Sequence, residues 1–487
     1  MKKFTFFALA AFLFVALLPG CSGHRDHKVI IVSTNDIHAT IDRFPQLATL
    51  VDSLRATGDP IVLVDDGDWS TGNPYADLYP RRGAPQIELM NALGYDVATL
   101  GNHEFDNGID TLARRLAEAH FKIVSANIQT NGAMPQPAPY CFVDVGGVRL
   151  GFVGVITVGD GGHPEGFASS FGAATFSDPV TTAKKYAFLK DSCDLLIALT
   201  HIGFAMDTIL AEQAPEFGLV IGGHSHTVLS RGGVWFGSRT PGEGTLITQT
   251  GSKLRYAGIT TLTVNSDGEI TAIDNRLVDL SNEAPEPKIA QMVAKFKNNP
   301  RFTQVVGQAA AHFNKNAVMS LYADAMREGA GVDVALANRG GVRIDYLNPG
   351  PITRGDLFMI EPFGNKAVVV PTMSEGDIKR MIMSKFNSEG KESHSIDLWP
   401  SGMSYKVVTG PDGAARDVKL RIAANSRGGL YRVAMSDYVE SAYDLPRRAN
   451  SAVQPTGAPI TSLIEKYIAA HTPIAPDSTV RAVVGTR

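Results

Sequence analysis

An α/β fold in two domains is predicted by three observations. The chain has 487 residues, more than one ordinary hydrophobic core organises. Over residues 28–280, short β-branched runs alternate with helical patterns. Around 283–300 that alternation breaks, and a second α/β pattern follows. Hydrophobic residues make up 44% and charged residues 19%, as in soluble globular chains. The net charge of −4 gives no electrostatic footprint for a nucleic-acid polymer as partner. A small anionic substrate stays compatible with it, because a metal or a local arginine can hold one.

The chain opens with Lys2 and Lys3, an apolar run from Phe4 to Leu18, then Pro19, Gly20 and Cys21. A charged start, a short apolar core and a small residue before the cut form a secretory signal. The run is shorter than the roughly 20 apolar residues of a spanning helix. Cys21 directly after Gly20 resembles a bacterial lipoprotein signal. That resemblance implies a signal peptide over residues 1–20, a lipid on Cys21, and a membrane-anchored protein of the periplasm or cell surface. Only Cys141 and Cys193 then remain. Two cysteines form no disulfide framework and no CxxC metal spacing. They could pair in an oxidising compartment, but are expected to be buried and inert.

The strand signals are Val29–Val32, Ile61–Val64, Val97–Leu100, Ile123–Val124, Leu150–Ile156, Leu195–Leu199 and Leu219–Ile221. Helical patterns lie between several of them, for example 85–93 and 110–120. Buried strands alternating with helices predict sheet covered by helices. Several runs end in a loop rich in Asp, Asn, Gly or His, where sheet-based folds usually place their active sites. The first domain is set at 27–282. Pro285 and Pro287 open a linker at 283–304, with Ile289, Met292, Val293 and Phe296 at helical spacing. The second domain, 305–487, starts with a helix over 317–328, a strand Val332–Leu336 and a Gly-rich loop.

Five clusters follow strand signals: Asp36-Ile-His38, Gly67-Asp68, Gly101-Asn102-His103-Glu104, His201, and His224-Ser-His226. Each residue alone has an ordinary reading. Asp36 and Asp68 suit turns or helix caps, Asn102 a left-handed turn, and His201 a satisfied core histidine. Together, Asp, Asn and His without cysteine suit divalent Zn, Mn, Fe or Co. Two such ions about 3.5–4 Å apart can clamp a phosphoryl group and acidify a water molecule. Asp65 and Asp66 are expected to be neighbours of a ligand, and His163 to lie at the surface.

In order and spacing, these clusters resemble the calcineurin-like metallophosphoesterases, whose domain is an αββα sandwich. The resemblance implies a first metal on Asp36, His38 and His226, a second on Asn102, His201 and His224, and Asp68 bridging both. It also implies that His103 faces the phosphate as an acid or transition-state stabiliser, oriented by Asp106. A carboxylate on an imidazole N–H does fix the tautomer and favour the charged form.

Further on, Asn338-Arg-Gly-Gly-Val-Arg343, Glu361-Pro-Phe-Gly-Asn365, Tyr438 and Asp444 resemble the C-terminal domain of the 5′-nucleotidases and UDP-sugar hydrolases. That resemblance implies a nucleotide substrate. Asn338 and Arg343 would contact it, Phe363 and Tyr438 would stack its base, and Asp444 would accept from the ribose hydroxyls. A guanidinium can grip phosphate through two parallel hydrogen bonds. The chain departs from this pattern at Tyr443, where a glycine is usual, which predicts a reshaped base pocket. It also departs before the 317–328 helix, where Lys315 stands in place of an arginine and offers only a point charge. The expected activity is a two-metal 5′-nucleotidase. The rivals are a 2′,3′-cyclic-nucleotide phosphodiesterase with 3′-nucleotidase action, a UDP-sugar hydrolase, and a non-catalytic nucleotide-binding lipoprotein. The sequence leaves the native metals and the oligomeric state open.

Overall fold

In the computed structural model, the described residues are 26–159, 161–230, 232–388, 394–423, 428–445 and 452–486. The signal segment and Cys21 lie outside them. The first domain is built on two six-stranded sheets. One runs Ile270–Asp279, Tyr256–Val264, His27–Thr34, Ile61–Asp65, Val97–Ala98 and Lys122–Ile123 in spatial order. The other runs Val234–Gly237, Gly244–Thr248, Leu219–Gly222, Leu195–His201, Val148–Ile156 and Tyr140–Val145.

Alternation along the strands explains the layering. On His27–Thr34, Val29 and Ile31 point into the core between the sheets, where they join Phe152, Ile197 and Ile221. Ile30 and Val32 point the other way, onto Phe44, Leu47 and Val51 of the helix Phe44–Arg55. The second sheet repeats this, with Val153, Val155 and Val220 packed beneath the helix Phe204–Gln213. Both faces of each sheet are covered, so the strands read as unbroken apolar runs. Burying each such side chain stabilises the fold by about 1.5–3 kcal/mol. The result is the αββα sandwich.

Both cysteines are half-buried free thiols. Cys141 packs on the inter-sheet core and Cys193 on the helix-facing core. They lie on opposite faces, with the strand Val148–Ile156 between them. As placed, the two do not pair.

The helix expected between the domains is Pro287–Lys297, capped by Glu286, which accepts from Ile289 N at 2.7 Å. Its apolar face, Ile289, Val293 and Phe296, is buried in the core of the first domain. The second domain has a separate core. A five-stranded sheet runs Leu398–Ser401, Val334–Asn338, Leu430–Ser436, Lys366–Ser374 and Gln454–Pro459. The helices Lys315–Ala330, Glu375–Asn387 and Ile460–His471 contribute to that core. The first of these starts at Asn314, whose side chain accepts from Ala317 N at 3.0 Å, and stops at the left-handed Gly331. Among the described residues, no helix is long and apolar enough to cross a membrane.

Candidate active site

Parallel strands end at one edge of the sandwich, and their loops converge there. Thr34 pairs with Asp65 and Ile156 with His201. Beyond the strand ends the pairing continues between loops: Asp36 N donates to Gly67 O at 3.0 Å and His38 N to Asp68 O at 2.8 Å. Asp36, His38, Asp68, His224 and His226 all have positive φ, between 49° and 72°. Non-glycine residues avoid that region, and strain of this kind gathers at functional sites. Glycine spacing is equally tight. A Cβ on Gly101 would stand 2.3 Å from Asp68 Oδ1, and one on Gly67 would stand 2.6 Å from Gly101 N.

The side chains so placed form three groups, each with ligand atoms within 4.8 Å of one another: Asp36, His38 and His226; His38, Asp68 and His103; Asp68, His201 and His224. Asp36 Oδ2 accepts from Asn35 Nδ2 and His224 N, at 2.7 and 2.9 Å. Its Oδ1 is buried without a hydrogen-bond partner and lies 3.2 Å from His226 Nε2. His201 Nδ1 lies 2.7 Å from the Asp66 carbonyl, so that nitrogen carries the proton. Its Nε2, buried and without a hydrogen-bond partner, lies 3.1 Å from Asp68 Oδ2. His38 Nε2 and His226 Nε2 face each other at 2.9 Å. Asn102 Oδ1 is 3.2 Å from His224 Nδ1. The unpartnered Asp36 Oδ1 and His201 Nε2, converging with the other Asp, Asn and His groups, fit a divalent cation, and among the described residues no thiolate or softer donor joins them.

Glu104 organises this edge. It is buried, and its two oxygens accept from Asp68 N, Ser70 N and Gly101 N at 2.9, 2.9 and 2.6 Å. Burial, and then the charge of Asp68, push its carboxyl up to about 7. Asp65 accepts from Thr34 Oγ1 and Gly67 N. Burial, and then Asp65, hold the Asp66 carboxyl well above the usual range. Asp66 stands outside the three groups.

His103 Nδ1 is 2.7 Å from Asp106 Oδ2, and its Nε2 is 3.9 Å from Asp68 Oδ2. Burial disfavours charge on this imidazole, but Asp106 and Asp68 outweigh it and its pKa is raised. His163 is half-buried and stacked on Phe171, with ring centroids 4.8 Å apart, rather than lying free at the surface. An aromatic partner in its own loop draws it in.

The second domain closes the other wall of a cavity of about 220 Å³. Arg343 Nη2 reaches within 2.9 Å of both His38 ring nitrogens, and its buried Nε has no hydrogen-bond partner. Phe363 stacks on His103 at 5.7 Å, and the Arg343 guanidinium lies 5.7 Å from the Phe363 ring centre. Asn338 ends the strand Val334–Asn338, and a Cβ on Gly341 would stand 2.5 Å from its Oδ1. Tyr438, on the helix Asp437–Ala442, lines the same cavity.

Two expectations take a different form. Asp444 is exposed and does not line the cavity, whereas Tyr443 does. The backbone is extended at Tyr443, where successive side chains point to opposite sides, so only one of this pair faces inward. Lys315 does not line the cavity either. Its ammonium donates to the Val342 and Ile344 carbonyls and pairs with Asp345 at 3.5 Å, while Lys253 donates to the Arg343 carbonyl. The lysines brace the arginine's loop instead of offering a charge to substrate.

Sequence reasoning gave no role to Glu104, Glu165, Phe167, Lys385 or Asp397, of which the last four line the cavity. Glu104 had a signal, because a glutamate three residues after a helix start is a capping pattern. The others come from scattered segments with no local pattern.

A strained loop edge carrying convergent Asp, Asn and His groups on an αββα sandwich defines a metal-dependent phosphoesterase. Residues 30–228 match the calcineurin-like phosphoesterase family, and residues 292–445 match the 5′-nucleotidase C-terminal domain. The chain thus carries a calcineurin-like phosphoesterase domain followed by a 5′-nucleotidase C-terminal domain. It is 27% identical to the 5′-nucleotidase of Bos taurus, over 70% of this chain and 69% of that one. It is 27% identical to the 5′-nucleotidase of Vibrio cholerae, over 72% and 76%. The crystal structure of a 5′-nucleotidase precursor from Thermus thermophilus superimposes with a TM-score of 0.79 at 23% identity, over 94% of this chain and 99% of that one.

Proposed function

We propose that the protein hydrolyses nucleoside 5′-monophosphates to nucleoside and phosphate outside the cytoplasm, anchored through a lipid on Cys21. One observation carries the reading. Arg343, a buried cation with an unpartnered N–H, meets the Asp–His cluster of the other domain in a cavity also lined by Phe363 and Tyr438. Charge for a phosphate and aromatic faces for a base therefore share one space.

Asp36, His38 and His226 would hold one divalent ion and Asn102, His201 and His224 a second, with Asp68 touching both. Zn, Mn, Fe or Co fits this donor set. When bound, such ions would acidify water and offset phosphoryl charge. The remaining work belongs to the chain. Arg343 grips the phosphate, and Asn338 holds substrate beside it. His103, with Asp106 on Nδ1, presents its Nε2 proton to the phosphoryl group as the leaving oxygen departs. Phe363 and Tyr438 stack the base, worth about 1–3 kcal/mol.

The test is phosphate release from AMP by a form starting after Cys21, with Mn²⁺ or Zn²⁺ and with chelator. Metal-dependent release that is lost in Asp68→Asn supports the reading. Turnover of 2′,3′-cyclic AMP or UDP-glucose with none of AMP would overturn it in favour of those substrates. Nucleotide binding without any turnover would mark a binding protein. Incorporation of labelled palmitate, absent in Cys21→Ala, tests the anchor.

A further inference from the structure

The second domain brings to the cavity a charge that this chemistry leaves unused. Lys385, on the helix Glu375–Asn387, is half-buried and lines the cavity. Its Nζ lies 5.1 Å from the centre of the Tyr443 ring. Among the described residues, its ammonium has no carboxylate within ion-pair distance and no hydrogen-bond acceptor. Tyr443 is itself held in place. Its hydroxyl donates to Asp397 Oδ2, Asp397 Oδ1 accepts from Arg339 N at 3.0 Å, and its ring meets that of Tyr438 at 6.4 Å and 78°. The tyrosine is thus a fixed platform for a cation, next to the aromatic that would stack the base. An ammonium has three donors and no acceptor. It rewards an acceptor atom on the ligand and gains nothing from an amino group.

We propose that Lys385 is a specificity-determining residue that donates a hydrogen bond to a ring carbonyl oxygen of the base. The protein therefore prefers nucleotides of oxo-bases (hypoxanthine, guanine, uracil) over those of adenine. This inference rests on the nucleotidase reading above. Hypoxanthine and adenine make the sharpest comparison, because a carbonyl in one stands where the other has an amino group.

The experiment measures kcat/KM for IMP and AMP with the metal-loaded protein, wild type and Lys385→Met. A hydrogen bond from a charged donor predicts an IMP preference of about tenfold or more. That preference should fall towards one in Lys385→Met and be largely retained in Lys385→Arg, with melting curves unchanged. An IMP/AMP ratio that Lys385→Met leaves unaltered overturns the inference. So does an equal loss on both substrates, which would assign the lysine to the phosphate or the scaffold. Either result leaves the nucleotidase reading standing. A wild type that cleaves p-nitrophenyl phosphate but no nucleotide overturns both.

Discussion

Replacing Glu104 by glutamine should weaken metal binding without touching a proposed ligand. In the wild type Oε2 accepts from Asp68 N and Gly101 N, and Oε1 from Ser70 N, all between 2.6 and 2.9 Å. Glutamine keeps a single acceptor oxygen. Its best placement holds the Asp68 and Gly101 amides and turns the NH₂ against Ser70 N, donor to donor. One buried N–H left unpaired lowers stability by about 1–3 kcal/mol. The Asp68 loop loosens at its Ser70 end, while the Asp68 amide stays on the glutamine oxygen and the bond from His103 N to Asp68 Oδ1, at 2.8 Å, persists. Residues standing behind metal ligands typically alter affinity by about 10–100-fold, which is about 1.4–2.7 kcal/mol. Glutamine also removes the partial charge that a carboxyl raised to about 7 carries near neutral pH, and that charge favoured cations, so both effects have the same sign. Calorimetric titration with Mn²⁺ and melting in chelator read the two separately. The expected result is a ten- to hundredfold weaker Mn²⁺ affinity and a chelated melting temperature lower by several degrees. Wild-type affinity together with a wild-type chelated melt would refute the idea that Glu104 sets the loop.

Three further outcomes are expected. His103→Ala should lower kcat by about 10²–10⁴ with metal content unchanged by elemental analysis, and Asp106→Asn should lower it less. Near-normal turnover in His103→Ala would remove it from the chemistry. Gly101→Ala places a methyl 2.3 Å from Asp68 Oδ1, so metal-dependent turnover should vanish while the far-UV spectrum persists; an active variant would show that the loop yields. The form lacking Cys21 should give two titratable thiols on denaturation under non-reducing conditions, and a count of zero would mean that Cys141 and Cys193 have paired.

Much of this was legible in the sequence because strands buried on both faces leave continuous apolar runs. The run at 29–32 falls within His27–Thr34, 195–199 within Leu195–His201, and 219–221 within Leu219–Gly222. The 317–328 pattern extends to Lys315–Ala330, since Asn314 caps earlier than the apolar spacing begins. The run at 97–100 shortens to Val97–Ala98, because the chain must already turn to set Gly101 against Asp68. The seven proposed ligands were readable because each ends a strand or follows one closely, so local order fixes which edge it reaches. The far wall was not. Lys385, Asp397 and Tyr443 meet only through tertiary packing, and nothing in one stretch of chain announces another. The inward turn of Tyr443 in place of Asp444 is a one-residue matter of pleat, finer than any spacing argument.

The separateness of the two cores has a consequence for descent. The Asp–His edge is anchored in the sandwich, and the base wall in a core that shares no buried residue with it. Substitutions in distant, independently packed regions combine almost additively. Lineages can therefore reshape the second core, changing which molecule is admitted, while the machinery that breaks the ester bond is inherited intact. The guanidinium that crosses between them must satisfy both histories at once.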